Sequence, residues 1–292
     1  MADIKNVAII GAGQMGCGIA HVFALAGYRV FLNDVAAAQL KAGLANIEKN
    51  LARQVASEKI TQSASDAALA LISTHSELAA LAEADLVIET ASEDENIKLQ
   101  ILEAVSALVS DDTLLASNTS SISITRLAAQ TRHPENFIGM HFMNPVPVMQ
   151  LVELIRGMAT SDESFEKAQA IVKTLGKTAA VSEDYPAFIV NRILLPMINE
   201  AAFALYEGVG TVASIDEAMQ LGANHRMGPL QLADFIGLDT CVSIMRVLQD
   251  GLGDDKYRPC PLLVKYVEAG WLGRKSGRGI YDYGGDKPVP TR

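Results

Sequence analysis

Apolar and polar positions follow one rhythm through the first two thirds of this chain and another through the rest. Up to residue 184, short runs rich in β-branched residues alternate with longer segments of helical period. The runs at 7–10, 29–33, 84–89, 113–117, 137–142, 148–155 and 178–181 read as strands. Segments 17–26, 35–56, 61–71, 93–109 and 162–175 read as helices, with a further helix starting near Ser123 and Gly176 stopping the last one. Strands alternating with helices predict a parallel sheet covered on both faces. After Asp184 only helical patterns remain, at 187–208, 214–221, 230–248 and 261–269, with Pro186 suited to a first helical turn. The first of these is apolar round most of its circumference, which requires burial on several sides, inside its own domain or against another copy of the chain. The tail, 282–292, is polar and carries prolines, and is expected to fray.

The first strand ends in Gly11-Ala12-Gly13-Gln14-Met15-Gly16, the G-x-G-x-x-G spacing between a strand and a helix. Gly11 permits the sharp turn, Gly13 lets a pyrophosphate approach the backbone, and Gly16 lets helix and strand pack closely. The helix N–H groups and dipole then face the phosphates. Asp34 ends the second strand, eighteen residues after Gly16, where a carboxylate accepts the adenosine ribose hydroxyls. No cation follows it to meet a 2′-phosphate, so NAD is expected over NADP. The fold expected is therefore α/β: an N-terminal Rossmann-type doubly wound domain over residues 1–184, then an all-α C-terminal domain over 185–292. Segments 35–56 and 61–71 make the excursion before the next strand longer than an ordinary crossover, as a projecting helical pair would. Lys41, Lys49, Arg53 and Lys59 make it the most basic part of this half, a pattern that charge alone assigns to a solvated face.

A length of 292 residues allows two domains, and 49% hydrophobic residues allow a full core for each. The net charge of −10 argues against nucleic acid as a general partner, and requires local cations wherever a phosphorylated ligand binds. No apolar stretch is long enough for a bilayer, and nothing resembles a secretory leader. Cys17, Cys241 and Cys260 are far apart, without metal or disulfide spacing, which suits a reducing cytoplasm.

Two polar residues interrupt apolar strands. His141 lies in 137–142 and Glu153 in 148–155, and the proline-bearing loop between them lets the two strands pair. A carboxylate on one imidazole nitrogen fixes the tautomer and leaves the other nitrogen as a general base. Spacing alone leaves that reading level with a structural pair that only satisfies itself. Asn191 in an apolar helix fits a cap or an interhelical bond, and Ser120, in the polar cluster after the fourth of the strands, fits a cap or turn.

Longer motifs then enter: Gly-Ala-Gly-Gln-Met-Gly at 11–16, Ser-Asn-Thr-Ser-Ser at 117–121, His-Phe-Met-Asn-Pro-Val-Pro-Val-Met at 141–149, Leu-Val-Glu at 151–153, Phe-Ile-Val-Asn-Arg at 188–192, Met-Gly-Pro at 227–229 and Gly-Arg-Lys-Ser-Gly-Arg-Gly-Ile-Tyr at 273–281. On these the chain resembles the 3-hydroxyacyl-CoA dehydrogenases, most closely the short bacterial 3-hydroxybutyryl-CoA enzymes, from Val7 to about Tyr283. The resemblance implies an NAD-dependent exchange of hydride between a 3-hydroxyacyl-CoA and a 3-oxoacyl-CoA. It implies His141 as base, Glu153 as its orienting partner, and Ser120 and Asn191 as the groups holding the 3-oxygen. It places Gly11, Ala12, Gly13, Gln14, Met15, Gly16, Asp34, Glu93, Lys98, Asn144 and Lys275 at the cofactor, with Lys98 also reaching CoA. Arg53 and Lys59 would meet CoA phosphates. A homodimer, no metal and no membrane partner are further expectations. Met143, Ala187 and Arg226 stand where this family often has Phe, Gly and Pro, which bears on substrate preference. The alternatives are a dehydrogenase of the same architecture acting on a free hydroxy or sugar acid, and an NAD-binding protein without turnover.

Overall fold

The computed structural model describes residues 4–292, and the chain divides into two compact units, residues 1–185 and 186–292. The first is built on an eight-stranded sheet in the order β3-β2-β1-β4-β5-β6-β7-β8. In chain order its elements are β1 (Asn6–Ile10), α1 (Gln14–Leu25), β2 (Arg29–Asn33), α2 (Ala37–Ala56), α3 (Gln62–Ala70), β3 (Ile72–His75), β4 (Leu86–Glu89), α4 (Glu95–Ser106), β5 (Leu114–Ser117), α5 (Ile124–Ala128), β6 (Phe137–Phe142), β7 (Leu151–Arg156), α6 (Asp162–Thr174) and β8 (Thr178–Glu183). All neighbours pair in parallel except β6 and β7, which run antiparallel. The order reverses beside β1: the chain leaves it for β2 and β3, then returns to its other side as β4. Such a switch point opens a crevice at the carboxyl ends of the strands, where the glycine turn lies.

Burial explains why the apolar runs became central strands. Val7, Ala8 and Ile9 of β1 and Leu86, Val87 and Ile88 of β4 are fully buried, as strands covered on both faces must be. Each of the larger side chains among them, Ala8 apart, contributes about 1.5–3 kcal/mol through burial. Helix starts are set by short polar side chains: Thr61, Asp94, Ser123 and Ser161 each accept a backbone N–H of the first turn, worth about 1 kcal/mol apiece. The long excursion is the pair α2 and α3. Its inward face, Leu40, Ile47, Leu51 and Ala68, joins the core that holds α1, and Gly43 lies so close to α1 that an added Cβ would meet the Cys17 sulfur. Lys41, Lys49, Arg53 and Lys59 are exposed.

The second unit comprises α7 (Val190–Tyr206), α8 (Val212–Gly222), α9 (Pro229–Ile236), α10 (Leu238–Leu252), α11 (Pro261–Glu268) and a short hairpin, β9 (Tyr281–Asp282) with β10 (Val289–Pro290). Leu195, Ile198, Leu230, Met245, Leu248 and Leu263 anchor its core.

Several expectations need correction. Pro186 does not open a helix. Residues 186–189 form a turn before α7, in which Ala187 and Phe188 take φ of +62° and +53° and bury their side chains. Segment 230–248 is two helices, because Gly237 between α9 and α10 takes φ +106°. Residues 148–150 are not strand: the N–H groups of Val148 and Met149 return to the Pro145 carbonyl. β3 carries the sequence Ile-Ser-Thr-His, which has no apolar run to reveal it. The tail does not fray: β10 pairs with β9, and Thr291 N–H donates to the Ile280 carbonyl at 2.9 Å. Two buried carboxylates fasten it. Asp234 accepts from the N–H groups of Ile280 and Tyr281 and from the Tyr283 hydroxyl, while Asp216 accepts from the Tyr281 hydroxyl and from Leu230 and Gln231 N–H. Burial pushes the Asp234 carboxyl above its usual range despite these bonds.

Candidate active site

The carboxyl ends of the first unit's strands carry a dinucleotide cradle. Gly11 has φ +102°, and a Cβ there would lie 2.8 Å from the Thr90 carbonyl oxygen. A Cβ on Gly16 would collide with the Gly11 carbonyl. Both glycines are thus demanded by the fold itself. Gly13 is not: nothing lies within 4 Å of where its Cβ would sit, and its φ of −73° suits any residue. What that position keeps is approach space along the backbone. Gly13 is the N-cap of α1, which has no side-chain cap and no acid in its first turn. Its amides and dipole therefore suit a phosphate. Asp34, at the end of β2, accepts the Ala12 and Ala36 N–H groups at 2.9 Å each, which fixes its carboxylate beside the turn. Gln14 Nε2 donates to Asn144 Oδ1 at 3.1 Å, so these two expected cofactor residues do meet. Ala12 is buried and Met15 packs on the core, so they support the turn by packing. These residues fit a dinucleotide such as NAD.

On the same edge, β6 and β7 put His141 directly opposite Glu153. Their side chains meet, with His141 Nδ1 2.7 Å from Glu153 Oε2. Glu153 is 0% exposed and His141 7%. A proton donated from Nδ1 to the carboxylate leaves the lone pair on Nε2, the arrangement a general base needs.

Between the cradle and this pair runs a polar network that joins Glu93, Lys98 and Ser120 through Glu89, a residue the sequence reading did not single out. Glu89, wholly buried at the end of β4, pairs through both carboxylate oxygens with Lys98 Nζ of α4, at 2.9 Å each. It also accepts the Ser117 hydroxyl at 2.6 Å and the Ala91 N–H at 2.6 Å. Lys98 Nζ lies 3.5 Å from Glu93 Oε2. Glu93 Oε1 in turn accepts the hydroxyls of Thr119, Ser120 and Ser121 at 2.7, 3.0 and 3.2 Å, and the Ser120 N–H at 2.8 Å. Burial pushes the Glu93 carboxyl up, but Lys98 and the Thr119 and Ser120 bonds together outweigh it and hold the group below the ordinary glutamate range. Removing one partner of a buried pair like Glu89–Lys98 costs about 3–5 kcal/mol. Asn118 adds a link: its N–H donates to the Glu89 carbonyl, and its side-chain oxygen accepts the Phe142 N–H, next to His141.

Lys98 was expected to reach CoA. Its side chain is instead 1% exposed, and its ammonium is held among Glu89, Glu93 and the Ala91 carbonyl. Arg53 and Lys59 are exposed on the excursion. Asn191 is half-buried in the first turn of α7, and Lys275 of the second unit pairs with Asp239 at 2.6 Å. Ser123, not Ser120, caps the helix after β5. The signal for Glu89 was an acid closing an apolar strand with a lysine nine residues on, inside a helical pattern. Among the described residues no group of three or more His, Cys, Asp or Glu could hold a metal, and no helix is long and apolar enough to cross a membrane.

Comparison with known proteins agrees with this geometry. The sequence model of the NAD binding domain of 3-hydroxyacyl-CoA dehydrogenase matches residues 6–185, and that of the C-terminal domain matches residues 188–283. The chain is 65% identical over 291 residues to the 3-hydroxybutyryl-CoA dehydrogenase of Bradyrhizobium diazoefficiens, covering 100% of this chain and 99% of that one. It is 38% identical to the 3-hydroxyadipyl-CoA dehydrogenase of Escherichia coli, covering 97% of this chain and 60% of that longer protein. The crystal structure of (S)-3-hydroxybutyryl-CoA dehydrogenase from Ralstonia eutropha superposes with a TM-score of 0.94 at 48% identity, covering 97% of this chain and 100% of that one. Matched along nearly its whole length and built around a glycine cradle and a His–Glu pair on one sheet edge, the chain belongs to the 3-hydroxyacyl-CoA dehydrogenase family.

Proposed function

We propose that the protein is an NAD-dependent dehydrogenase interconverting (S)-3-hydroxyacyl-CoA and 3-oxoacyl-CoA, with the four-carbon pair 3-hydroxybutyryl-CoA and acetoacetyl-CoA as its preferred substrates. The buried His141–Glu153 pair carries this reading, because it sits on the sheet edge that holds the nucleotide cradle. NAD, when bound, supplies the hydride acceptor, and NADH the donor in the reverse direction. His141 Nε2 takes the proton of the 3-hydroxyl during oxidation and returns it during reduction. Glu153 holds the ring and stabilises the imidazolium. Ser120 points its hydroxyl proton at Glu93, so its oxygen receives a substrate hydroxyl as acceptor. Rotation of that proton lets it donate to the 3-oxo group. Asn191 supplies a second hydrogen bond to the same oxygen. Arg53 and Lys59 offset the molecule's negative charge for the CoA phosphates, and Lys275 serves the cofactor.

Two coarser traits complete the reading. Ile193, Tyr206, Val209 and Leu221 of the helical unit are large, apolar and more than half exposed, which supports a homodimer, to be read by light scattering. Cys17, Cys241 and Cys260 are free and buried, which suits the cytoplasm.

The deciding assay follows NADH oxidation with acetoacetyl-CoA, beside longer 3-oxoacyl-CoAs, 3-oxoadipyl-CoA, free acetoacetate, and NADPH. Preference for acetoacetyl-CoA with NADH supports the proposal; turnover of free acetoacetate instead overturns it. His141→Gln is expected to lower kcat about 10²–10⁴-fold with folding intact, and near-normal turnover removes His141 from the role of base.

A further inference from the structure

Glu89 gathers the polar residues of this edge. Its register partners are Ile10 of β1, the last residue before the glycine turn, and Ser117 of β5, the last before the Ser120 segment. Its side chain commits both oxygens to Lys98 and one each to Ser117 Oγ and Ala91 N–H. This is more than the core requires, since an apolar residue at a fully buried strand end would pack without partners. The ammonium it fixes is the cation facing Glu93 Oε2, while Glu93 Oε1 receives the hydroxyl and the N–H of Ser120.

We propose that Glu89 is a positioning residue for the dehydrogenase reaction: through Lys98 it places the Glu93 carboxylate that orients the Ser120 hydroxyl, so that a buried ion pair sets the geometry of oxygen binding without touching the substrate. The inference rests on the reading of Ser120 as a group that holds the 3-oxygen. The charged groups facing Glu93 are Lys98 on α4 and, behind it, Glu89 on β4; the segment after β5 offers hydroxyls and an amide, and Arg126 on α5 is taken by Glu95 at 2.7 Å. Neutralising the pair removes the cation that opposes burial at Glu93, so its carboxyl then titrates at higher pH.

The test compares Glu89→Gln, Lys98→Met and the double variant Glu89→Gln/Lys98→Met. Each single variant strands one buried charge and is expected to lose thermal stability. The double variant strands neither member of the Glu89–Lys98 pair and leaves Glu93 only its hydroxyl and amide donors, so it is expected to recover part of that loss. In the folded double variant, kcat for acetoacetyl-CoA reduction should fall about 10- to 100-fold, as misplacement of a reacting group by about an ångström does. The acid limb of its pH profile should move up by about one unit. Carbon NMR titration of Glu93, which needs no turnover, should show the same upward move. A folded double variant with wild-type kcat and an unmoved Glu93 titration overturns the proposal. A moved titration in a protein whose wild type does not reduce acetoacetyl-CoA leaves the electrostatic link standing and sinks the substrate reading instead.

Discussion

At the scale of single residues, the three glycines of the cradle have separable duties. Gly16→Ala drives a Cβ into the Gly11 carbonyl, and the variant should lose stability or fail to fold. Gly13→Ala meets no atom and keeps an ordinary φ. Its melting temperature should hold or rise slightly, while NADH affinity, read by fluorescence titration, should fall about tenfold or more, or about 1.4 kcal/mol. The spacing of the glycines was plain in the sequence; which of them serve the fold and which the ligand required the neighbours to be seen. His141 and Glu153 were legible for a similar reason, as polar residues in apolar strands. Glu89 escaped because a terminal acid reads as the end of a strand, and its partners come from α4 and β5. His21 escaped because it sits among helix formers. It is buried, bonded to Gln54 at 3.2 Å, with its Nδ1 unmatched among the described residues. Burial chiefly, and Lys177 nearby, lower its pKa, against the Gln54 bond. A histidine whose folded value is depressed keeps its full contribution above the unfolded value of about 6.5 and loses it as pH falls through the folded value. The melting temperature should therefore drop from pH 7 to pH 5, and His21→Gln should flatten that dependence.

Among the elements, the alternation of apolar runs and helical segments was enough to place the central strands, because each is buried on both faces and cannot hide polar residues. What it missed lies at edges and breaks. β3 is an edge strand of mixed polarity, held by its register with β2. The division of α9 from α10 depends on one backbone angle at Gly237, where a Cβ would also come within 3.0 Å of Asp239 Oδ1 and Lys275 Nζ. Gly237→Ala should cost about 1–3 kcal/mol of stability, measurable by urea unfolding, and should disturb the Lys275 ammonium beside it more than the His141–Glu153 pair of the other unit. NADH affinity should accordingly change more than the pH profile. Pro186 misled because proline suits a first helical turn and a loop equally, and the left-handed backbone of Ala187 and Phe188 left no mark in the apolar pattern.

For the molecule as a whole, a net charge of −10 opposes the approach of any polyphosphate ligand. Under the proposed function, the exposed cations of α2 and the turn after it would be the local answer in the first unit. Replacing Arg53 and Lys59 together by alanine should raise KM for acetoacetyl-CoA about three- to tenfold at low salt, with less effect on KM for NADH. The difference should shrink as added salt screens the exposed charges. Composition alone announced the problem but not its solution, since a basic helix face is ordinarily only solvated. The fastening of the tail has a consequence of another kind, in time rather than space. Asp234 and Asp216 draw donors from residues 280–283, whereas the first unit is made entirely of chain ahead of Pro186. During synthesis on the ribosome the nucleotide-binding half can reach its final form while the helices behind it are still emerging. Those helices must wait, Asp234 without its tail donors and Asp216 holding only Leu230 and Gln231, until the closing tyrosines arrive.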